Sequence, residues 1–496
     1  MAMLAREAVP NVVLYNLRDD FGLSQAELAD ALNELASTQG KSWSGNAQTV
    51  SRWERGVVER PDPVARRLLA QFFGVSIADL GFTRPRSDAQ VAGDGIDLSG
   101  LEDVAHARDP RLERSQAEWV AIRRALNARR DALTSTTARL YEPAMRLRGP
   151  SWDTGLLVQP AWLPDRPVDL ARIQLQMRPG LPAEVTGSES QAAGALPFAT
   201  RATRYRRYSH AVRDLAAARL FENRLSYRLL DLAWDEAGGS MAFGLTTYFE
   251  MVDICELVAH EAALAHISAP DGSDPIVSQP SWRRLSFRKF LGDPFSLDRR
   301  AVLPSINTLT VRLGANGSPS IVLHRRDPSS VAVAGGMLHI MPAGVFQPSS
   351  VLPEAQLADF DLWRNIMREY SEEFLGNPEH DGDGQPVDYE HGEPFTTLDR
   401  ARRDGTMKIY CLGVALDALT LACEILTVAV IHEDVYDSVF AHMVDANTEG
   451  TVAAKMVPFE QHTIHRLLEG RRYPLAPAAA GCLQLAWEHR DLVLNT

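Results

Sequence analysis

Apolar positions near the start of the chain recur at helical spacing, and polar turn residues interrupt them. Leu23-Ser24-Gln25-Ala26-Glu27-Leu28-Ala29 opens one such segment. Ser24 and Glu27 there have the spacing of a capping box, which satisfies orphan amides at a helix start. Asn46 to Gly56 predicts a short polar helix stopped by glycine. Val50 and Trp53 lie on one side of it, and Gln48, Thr49, Ser51 and Arg52 on the other. The stretch from Leu32 to Asn46 is longer than a turn between two such helices needs, so either the first helix is extended or the turn carries an insertion. Trp43 within it is expected to pack on the module. Ser76 to Leu80 predicts a last short helix, and the polar, turn-rich residues 83–100 have the composition of a linker.

From Leu101 to about Arg148 the pattern is again helical. Trp119, Ile122, Leu126 and Leu133 recur on one face, with Arg123, Arg124, Arg129 and Arg130 on the polar side, where solvent is expected. Residues 150–200 predict a docked strand or two and then a mobile connection near Gly187-Ser188-Glu189-Ser190. Beyond Ala202 helix and strand signals mix. Ser305 to Leu313 and Ser320 to His324 flank Gly314-Ala315-Asn316-Gly317 as a hairpin. Met337 to Met341 predicts a strand, Asp361 to Leu375 a strongly amphipathic helix, and Thr406 to Cys411 the start of another strand. The expected organisation is multidomain: an all-α N-terminal domain over 1–82, the linker over 83–100, a helical or irregular connecting region over 101–204, and a mixed α/β domain over 205–496.

Bulk properties narrow the picture. The 496 residues allow about three domains, and 45% hydrophobic with 23% charged residues is ordinary for a globular protein. A net charge of −13 argues against a chain coated in nucleic acid. Residues 1–86 carry ten Lys/Arg and ten Asp/Glu, so DNA contact would rest on a local patch of Arg52, Arg55, Arg60, Arg66 and Arg67. Cys255, Cys411, Cys423 and Cys482 form no C-x-x-C pair, which predicts reduced core thiols in a cytoplasmic protein. The most apolar run, Leu412 to Ile431, contains Asp417 and Glu424. It is expected as a buried helix and strand, with no membrane partner.

The two short N-terminal helices, followed by Gly56 and Pro61, suggest a helix-turn-helix whose second helix lies in a DNA major groove. Over roughly residues 8–82 they resemble the Cro/repressor (XRE) family. The resemblance implies a transcription regulator bound to a double-stranded DNA operator. Gln48, Thr49, Ser51 and Arg52 would read base edges, and Gln25 and Arg55 would hold phosphates. A homodimer would span two half-sites about one helical turn apart. The competing reading is a small helical interaction domain that never touches DNA.

Arg368-Glu369-Tyr370-Ser371-Glu372-Glu373 places three acids at i, i+3 and i+4. At about 100° per residue these cover one narrow face, with Trp363, Ile366, Tyr370 and Phe374 on the adjacent apolar face. Three like charges so placed call for a hard divalent cation or Arg partners. The run resembles the helical part of the Nudix box, with Arg368, Glu369, Tyr370, Glu372 and Glu373 matching, Gly376 one residue late, and Met341-Pro342-Ala343-Gly344 like the entry to the box. That resemblance implies a Nudix-like α/β (α+β) domain and Mg²⁺ or Mn²⁺ on Glu369, Glu372 and Glu373. If the domain is active, Glu372 and Glu373 would be catalytic in cutting a nucleoside diphosphate derivative with a metal-activated water. Glu354 and Phe360 stand where the box has its opening glycine and upstream glutamate. Three readings follow: a sensor of a nucleotide or phosphorylated metabolite, a metal-dependent hydrolase carrying a DNA-binding module, or a purely structural surface helix with exposed acids.

Residues 205–496 also resemble the C-terminal region of actinobacterial regulators, through Phe221 to Leu229, Tyr248-Phe249-Glu250 and Gly344 to Pro348. Arg224 and Arg228, beside Asn223 and Tyr227, and Arg368 are the candidate ligand-binding residues; for Asn223, Arg224 and Arg228 the competing reading is capping and surface pairing. His324-Arg325-Arg326-Asp327 either faces the carboxylate helix or forms a polar turn. His432, His442, His462 and His465 are expected as core or surface residues, Gly335-Gly336 as a bulge or turn, and Asp381-Gly382-Asp383-Gly384 as a solvated turn. Neither G-x-x-x-x-G-K-[ST] nor G-x-S-x-G occurs, so nothing supports a kinase, an ATPase or a serine hydrolase.

Overall fold

The computed structural model describes residues 11–38, 43–58, 61–73, 80–82, 109–180, 182–216, 222–268, 276–326, 337–378, 386–444, 450–470 and 474–495. The expected linker at 83–100, most of the expected helix at 76–80, Gly335-Gly336 and Asp381 to Gly384 lie outside the described residues.

Four helices form the N-terminal module: α1 (Val12–Asp20), α2 (Gln25–Thr38), α3 (Ala47–Glu54) and α4 (Pro63–Phe73). Their apolar stripes meet in a core that includes Leu14, Leu28, Leu32, Val50, Trp53, Leu68 and Leu69. Gly22, at φ +69°, turns the chain between α1 and α2, a conformation that costs glycine little. The capping box forms as expected: Ser24 N donates to Glu27 Oε2 (2.6 Å) and Glu27 N to Ser24 Oγ (3.1 Å).

Next come α5 (Pro110–Ala128) and α6 (Arg130–Ala138), then strands β1 (Arg146–Arg148), β2 (Asp153–Leu157), β3 (Val168–Asp169) and β4 (Ile173–Met177). After α7 (Tyr208–Ala216), β5 (Leu225–Trp234) and β6 (Gly239–Thr247) make a three-stranded sheet with β4. Helix α8 (Tyr248–His266), the short pair β7 (Ile267–Ser268) and β8 (Ile276–Val277), and α9 (Ser286–Leu291) follow. The large sheet is completed by β9 (Pro304–Leu313), β10 (Pro319–Arg326), β11 (Leu338–His339), β12 (Ala343–Val345), β13 (Met407–Asp417), β14 (Cys423–His432) and β15 (Gly450–Pro458). Its helices are α10 (Pro353–Ala358), α11 (Leu362–Glu369), α12 (Phe395–Arg403), α13 (Glu433–Val439), α14 (Gln461–Leu468), α15 (Pro477–Glu488) and α16 (Arg490–Val493). The path β1-β2-β13-β14-β9-β10-β11 runs through it, with β3 on β13, β12 on β9 and β15 on β10.

Both faces of this sheet are covered. Ile425, Ala429 and Ile431 of β14 point to the side of α11 and α12, while Leu426, Val428 and Val430 point to α15. Such two-sided burial produces continuous apolar runs instead of alternation. It explains why Leu412 to Ile431, expected as a helix and a strand, is two antiparallel strands. The expected boundary at 204/205 also fails, because β2 and β3 pair with β13, Leu157 lying opposite Leu416 and Val168 opposite Cys411. The hairpin of β9 and β10 forms where expected. Near Gly187 the chain is tied down, with Thr186 N and Gly187 N donating to the Glu189 carboxylate at 2.7 and 2.9 Å.

The polar side expected for α5 and α6 is corrected at two of its arginines. Arg123 and Arg130 are buried and donate to the two oxygens of Glu256 on α8, at 3.0 and 3.2 Å. Burial opposes the charge on Glu256, but the two guanidiniums outweigh it and hold its pKa below the ordinary value. Beside this triad His260 is fully buried, stacked on Trp119 and bonded through Nδ1 to the Tyr208 hydroxyl (3.1 Å). Burial, reinforced by Arg123, pushes its pKa from 6.5 down to about 3. The unfolded chain therefore takes up a proton near pH 6.5 that the folded chain refuses. Stability should fall as pH drops from about 6.5 towards 3, by about 1.4 kcal/mol per unit from this one group. Urea unfolding across that range should show a shallower pH slope for His260→Gln than for the parent. Glu256→Gln, which strands two buried guanidiniums, should cost about 3–5 kcal/mol at neutral pH in the same measurement.

Candidate functional site

The N-terminal module presents a helix built to be held from behind. Asn46 caps α3, accepting from Thr49 N at 3.0 Å, while Thr49 Oγ1 accepts from Asn46 N at 3.2 Å. Trp43 stacks on Trp53 with ring centres 6.1 Å apart, as expected for the long turn. The Asn33 side chain brackets that turn through Gly45 N and O, both at 2.9 Å. With Val50 and Trp53 buried, Gln48, Arg52 and Arg55 are left exposed and Ser51 half-exposed.

Two of the expected DNA contacts are otherwise engaged. The Thr49 hydroxyl belongs to the cap, so the residues free to meet base edges reduce to Gln48, Ser51 and Arg52. Gln25 donates from Nε2 to Glu54 Oε2 at 2.6 Å, and Arg18 donates from Nε to Glu54 Oε1 at 2.7 Å. This network ties α1, α2 and α3 together and turns Gln25 inward. Sequence reasoning missed Glu54; the signal was an acid beside the buried Trp53 with an arginine on the first helix.

On the C-terminal body, Asp361 caps α11 by accepting from Trp363 N and Arg364 N. Trp363, Ile366, Tyr370 and Phe374 are buried, as the amphipathic pattern predicts. The Tyr370 hydroxyl reaches Thr310 of β9 at 2.8 Å. The helix does not stay α: residues Tyr370–Phe374 form a π-helical turn. Such a widened turn frequently marks a functional segment, and within it the i, i+3, i+4 rule no longer stacks side chains on one face. Glu373 is accordingly buried, with its Oε1 accepting from Ala343 N at 3.3 Å, while Glu369 and Glu372 are half-exposed. Glu369 lies over Gly344, where a Cβ would come within 1.8 Å of its Oε1. That glycine is what lets the carboxylate sit against β12.

Arg368 is buried and donates to Gln347 O (2.5 Å) and Asn365 Oδ1 (3.0 Å). Burial works against its charge, but Tyr389, Asp359, Glu369 and Glu372 outweigh that and raise its pKa. It is thus a brace for the 343–351 loop and not an open ligand contact. A divalent cation needs several oxygens converging on one point. Among the described residues no three His, Cys, Asp or Glu side chains do so. As placed, Glu369, Glu372 and Glu373 do not converge on one point, and one oxygen of Glu373 is taken by Ala343 N.

The expected phosphate cradle is not assembled. Arg224 pairs with Glu222 at 3.3 Å, and Asn223 Oδ1 accepts from Phe249 N at the start of α8 (2.8 Å). Tyr227 is buried, donating to Gln356 O at 2.8 Å. Arg228 is buried too and donates to Leu297 O and Asp298 O at 3.1 and 3.4 Å. His324 is buried in β10 opposite His339, which answers the choice left open for it against a polar turn. Among the described residues no helix is long and apolar enough to cross a membrane.

A protein-family model described as the SP15 N-terminal domain matches residues 14–83. No curated protein matches the chain. Among solved structures, a NUDIX hydrolase from Alicyclobacillus acidocaldarius superposes on 39% of this chain and 96% of its own, at 15% identity and a TM-score of 0.25. The chain is therefore similar to the SP15 N-terminal domain over α1–α4, and its resemblance to the NUDIX structure is loose.

Proposed function

We propose that the protein is a DNA-binding regulator whose C-terminal α/β body senses a nucleotide or phosphorylated metabolite. The observation that carries the first half is α3. It is a capped helix anchored by Val50 and Trp53 that leaves Gln48, Ser51 and Arg52 facing outward. Arg52 supplies the bidentate donor set that suits a guanine edge, and exposed Arg55 supplies charge for the phosphate backbone. A homodimer on two half-sites is the corresponding arrangement on the operator. The second half rests on the Nudix-box match of Arg368 to Glu373 together with Gly344, which seats Glu369 at the surface of the body. Glu354 and Phe360, standing where the Nudix box has its opening glycine and upstream glutamate, favour sensing over hydrolysis.

An operator selected from a random-sequence pool provides the test of the first half. Arg52→Ala should weaken that operator by about 1–3 kcal/mol while leaving random duplex nearly unchanged, as measured by fluorescence anisotropy. Equal losses on both would remove the base-reading role. The second half predicts that at least one member of a nucleotide panel raises the melting temperature without product release. Gly344→Ala, which forces Glu369 off β12, should abolish that rise while the ligand-free melting temperature changes little. A panel that leaves the parent's melting temperature unmoved would refute the sensor.

A further inference from the structure

One face of the N-terminal module is covered by the C-terminal body. The N-terminal end of α2, capped by Ser24, shares a cleft with Ser349, Ser350 and Val351, on the loop between β12 and α10. Val351 N donates to Glu27 Oε1 at 3.3 Å, while the other oxygen of the same carboxylate keeps the capping box closed. Gly22, in the turn just before, is so close to the body that a Cβ there would lie 2.9 Å from Asn223 O. Asp19 at the end of α1 faces Arg213 of α7 at 3.8 Å. In a helix-turn-helix the first helix of the motif crosses the DNA backbone while the second enters the groove, and a helix N-terminus is a natural seat for phosphate. The outward face of α3 is open here, but the start of α2 beside it faces residues 348–351 across a narrow cleft that leaves no room for a DNA backbone.

The same loop reaches the carboxylate helix. Ala343 N donates to Glu373, and Gly344 lies under Glu369. Gln347 is held through its carbonyl by Arg368 and through its amide by Asn365 (3.4 Å). Ser349 gives both its amide and its hydroxyl to Asp359 at 2.6 Å. One short segment thus runs from the carboxylates to Glu27. We infer that this docking is autoinhibitory: the body holds the module with its α2 end occluded, and movement of the 343–351 loop at the carboxylate helix releases it for DNA. The inference rests on the DNA-binding reading above.

The full-length chain tests it with two substitutions outside both proposed contact surfaces. Arg213→Glu puts a negative charge opposite Asp19, and Ser350→Trp wedges the cleft. The readouts are radius of gyration by small-angle scattering and affinity for a random-sequence duplex at low salt. Release should enlarge the radius of gyration and raise affinity at least tenfold over the parent in one or both variants. A released variant with the parent's measurable DNA affinity would overturn the autoinhibition and leave the DNA-binding reading standing. A released variant in which neither it nor the parent binds DNA would overturn both. A chain that stays compact with both substitutions combined would overturn the assigned docking contacts.

Discussion

Burial of the β13–β14–β9 ladder on both faces is the constraint on which the rest of the molecule depends. Ten residues of β14 run parallel to β9 in unbroken register, from Cys423 opposite Pro304 to His432 opposite Leu313. With helices on each side, every buried side chain in the ladder must be apolar or internally paired. Thr308 and Thr427 meet this demand by bonding to each other at 2.8 Å, and Thr310 does so by bonding to Tyr370. The latter bond fixes α11 against the sheet. Everything at the carboxylate helix, from the seat of Glu369 over Gly344 to the brace from Arg368 to Gln347, follows from where that helix is pinned.

The sequence was legible where local rules set the structure. Ser24 with Glu27, the break at Gly56, and the pairing of Val50 with Trp53 are properties of neighbours along one chain segment, and α2 and α3 form as read. The hairpin of β9 and β10 was legible for the same reason. Illegible were the contacts whose partner lies far along the chain. Arg123 and Arg130 read as a solvated face because nothing nearby announces Glu256. A docked strand or two was legible in 150–200, but not where β2 and β3 dock, because their pairing partner, β13, comes more than two hundred residues later. The π turn at Tyr370–Phe374 left no mark in the spacing of its acids, since α and π turns share the same short sequence and differ only in which carbonyl each amide finds.

A single theme connects the site residues that moved from their expected roles. Thr49, Gln25, Arg228, Arg368 and Glu373 were all read as groups reaching outward, and each is engaged within the protein. A polar side chain beside a core is costly unless it finds a partner. Motif matching counts the chemistry of such a residue but not whether folding has already claimed it. What remains uncommitted is therefore more informative than the motif as a whole. In the module these are Gln48 and Arg52, on a face that the capping of α3 keeps in place.

The two halves of the chain meet through groups that are only partly committed. Glu27 serves a cap with one oxygen and the body with the other, so losing the body contact leaves α2 intact. Arg213 divides itself between Asp19 and Asp214, at 3.8 and 3.0 Å, so the longer of its two contacts is the one that crosses the junction. An interface made of such contacts can open without unfolding either side. By contrast, the loop that supplies Val351 is anchored at its other positions by buried groups, Arg368 and Asp359 among them. The loop is thus held by buried groups within the body and by longer contacts across the junction, and this contrast is what the proposed competition between DNA and body for the start of α2 depends on.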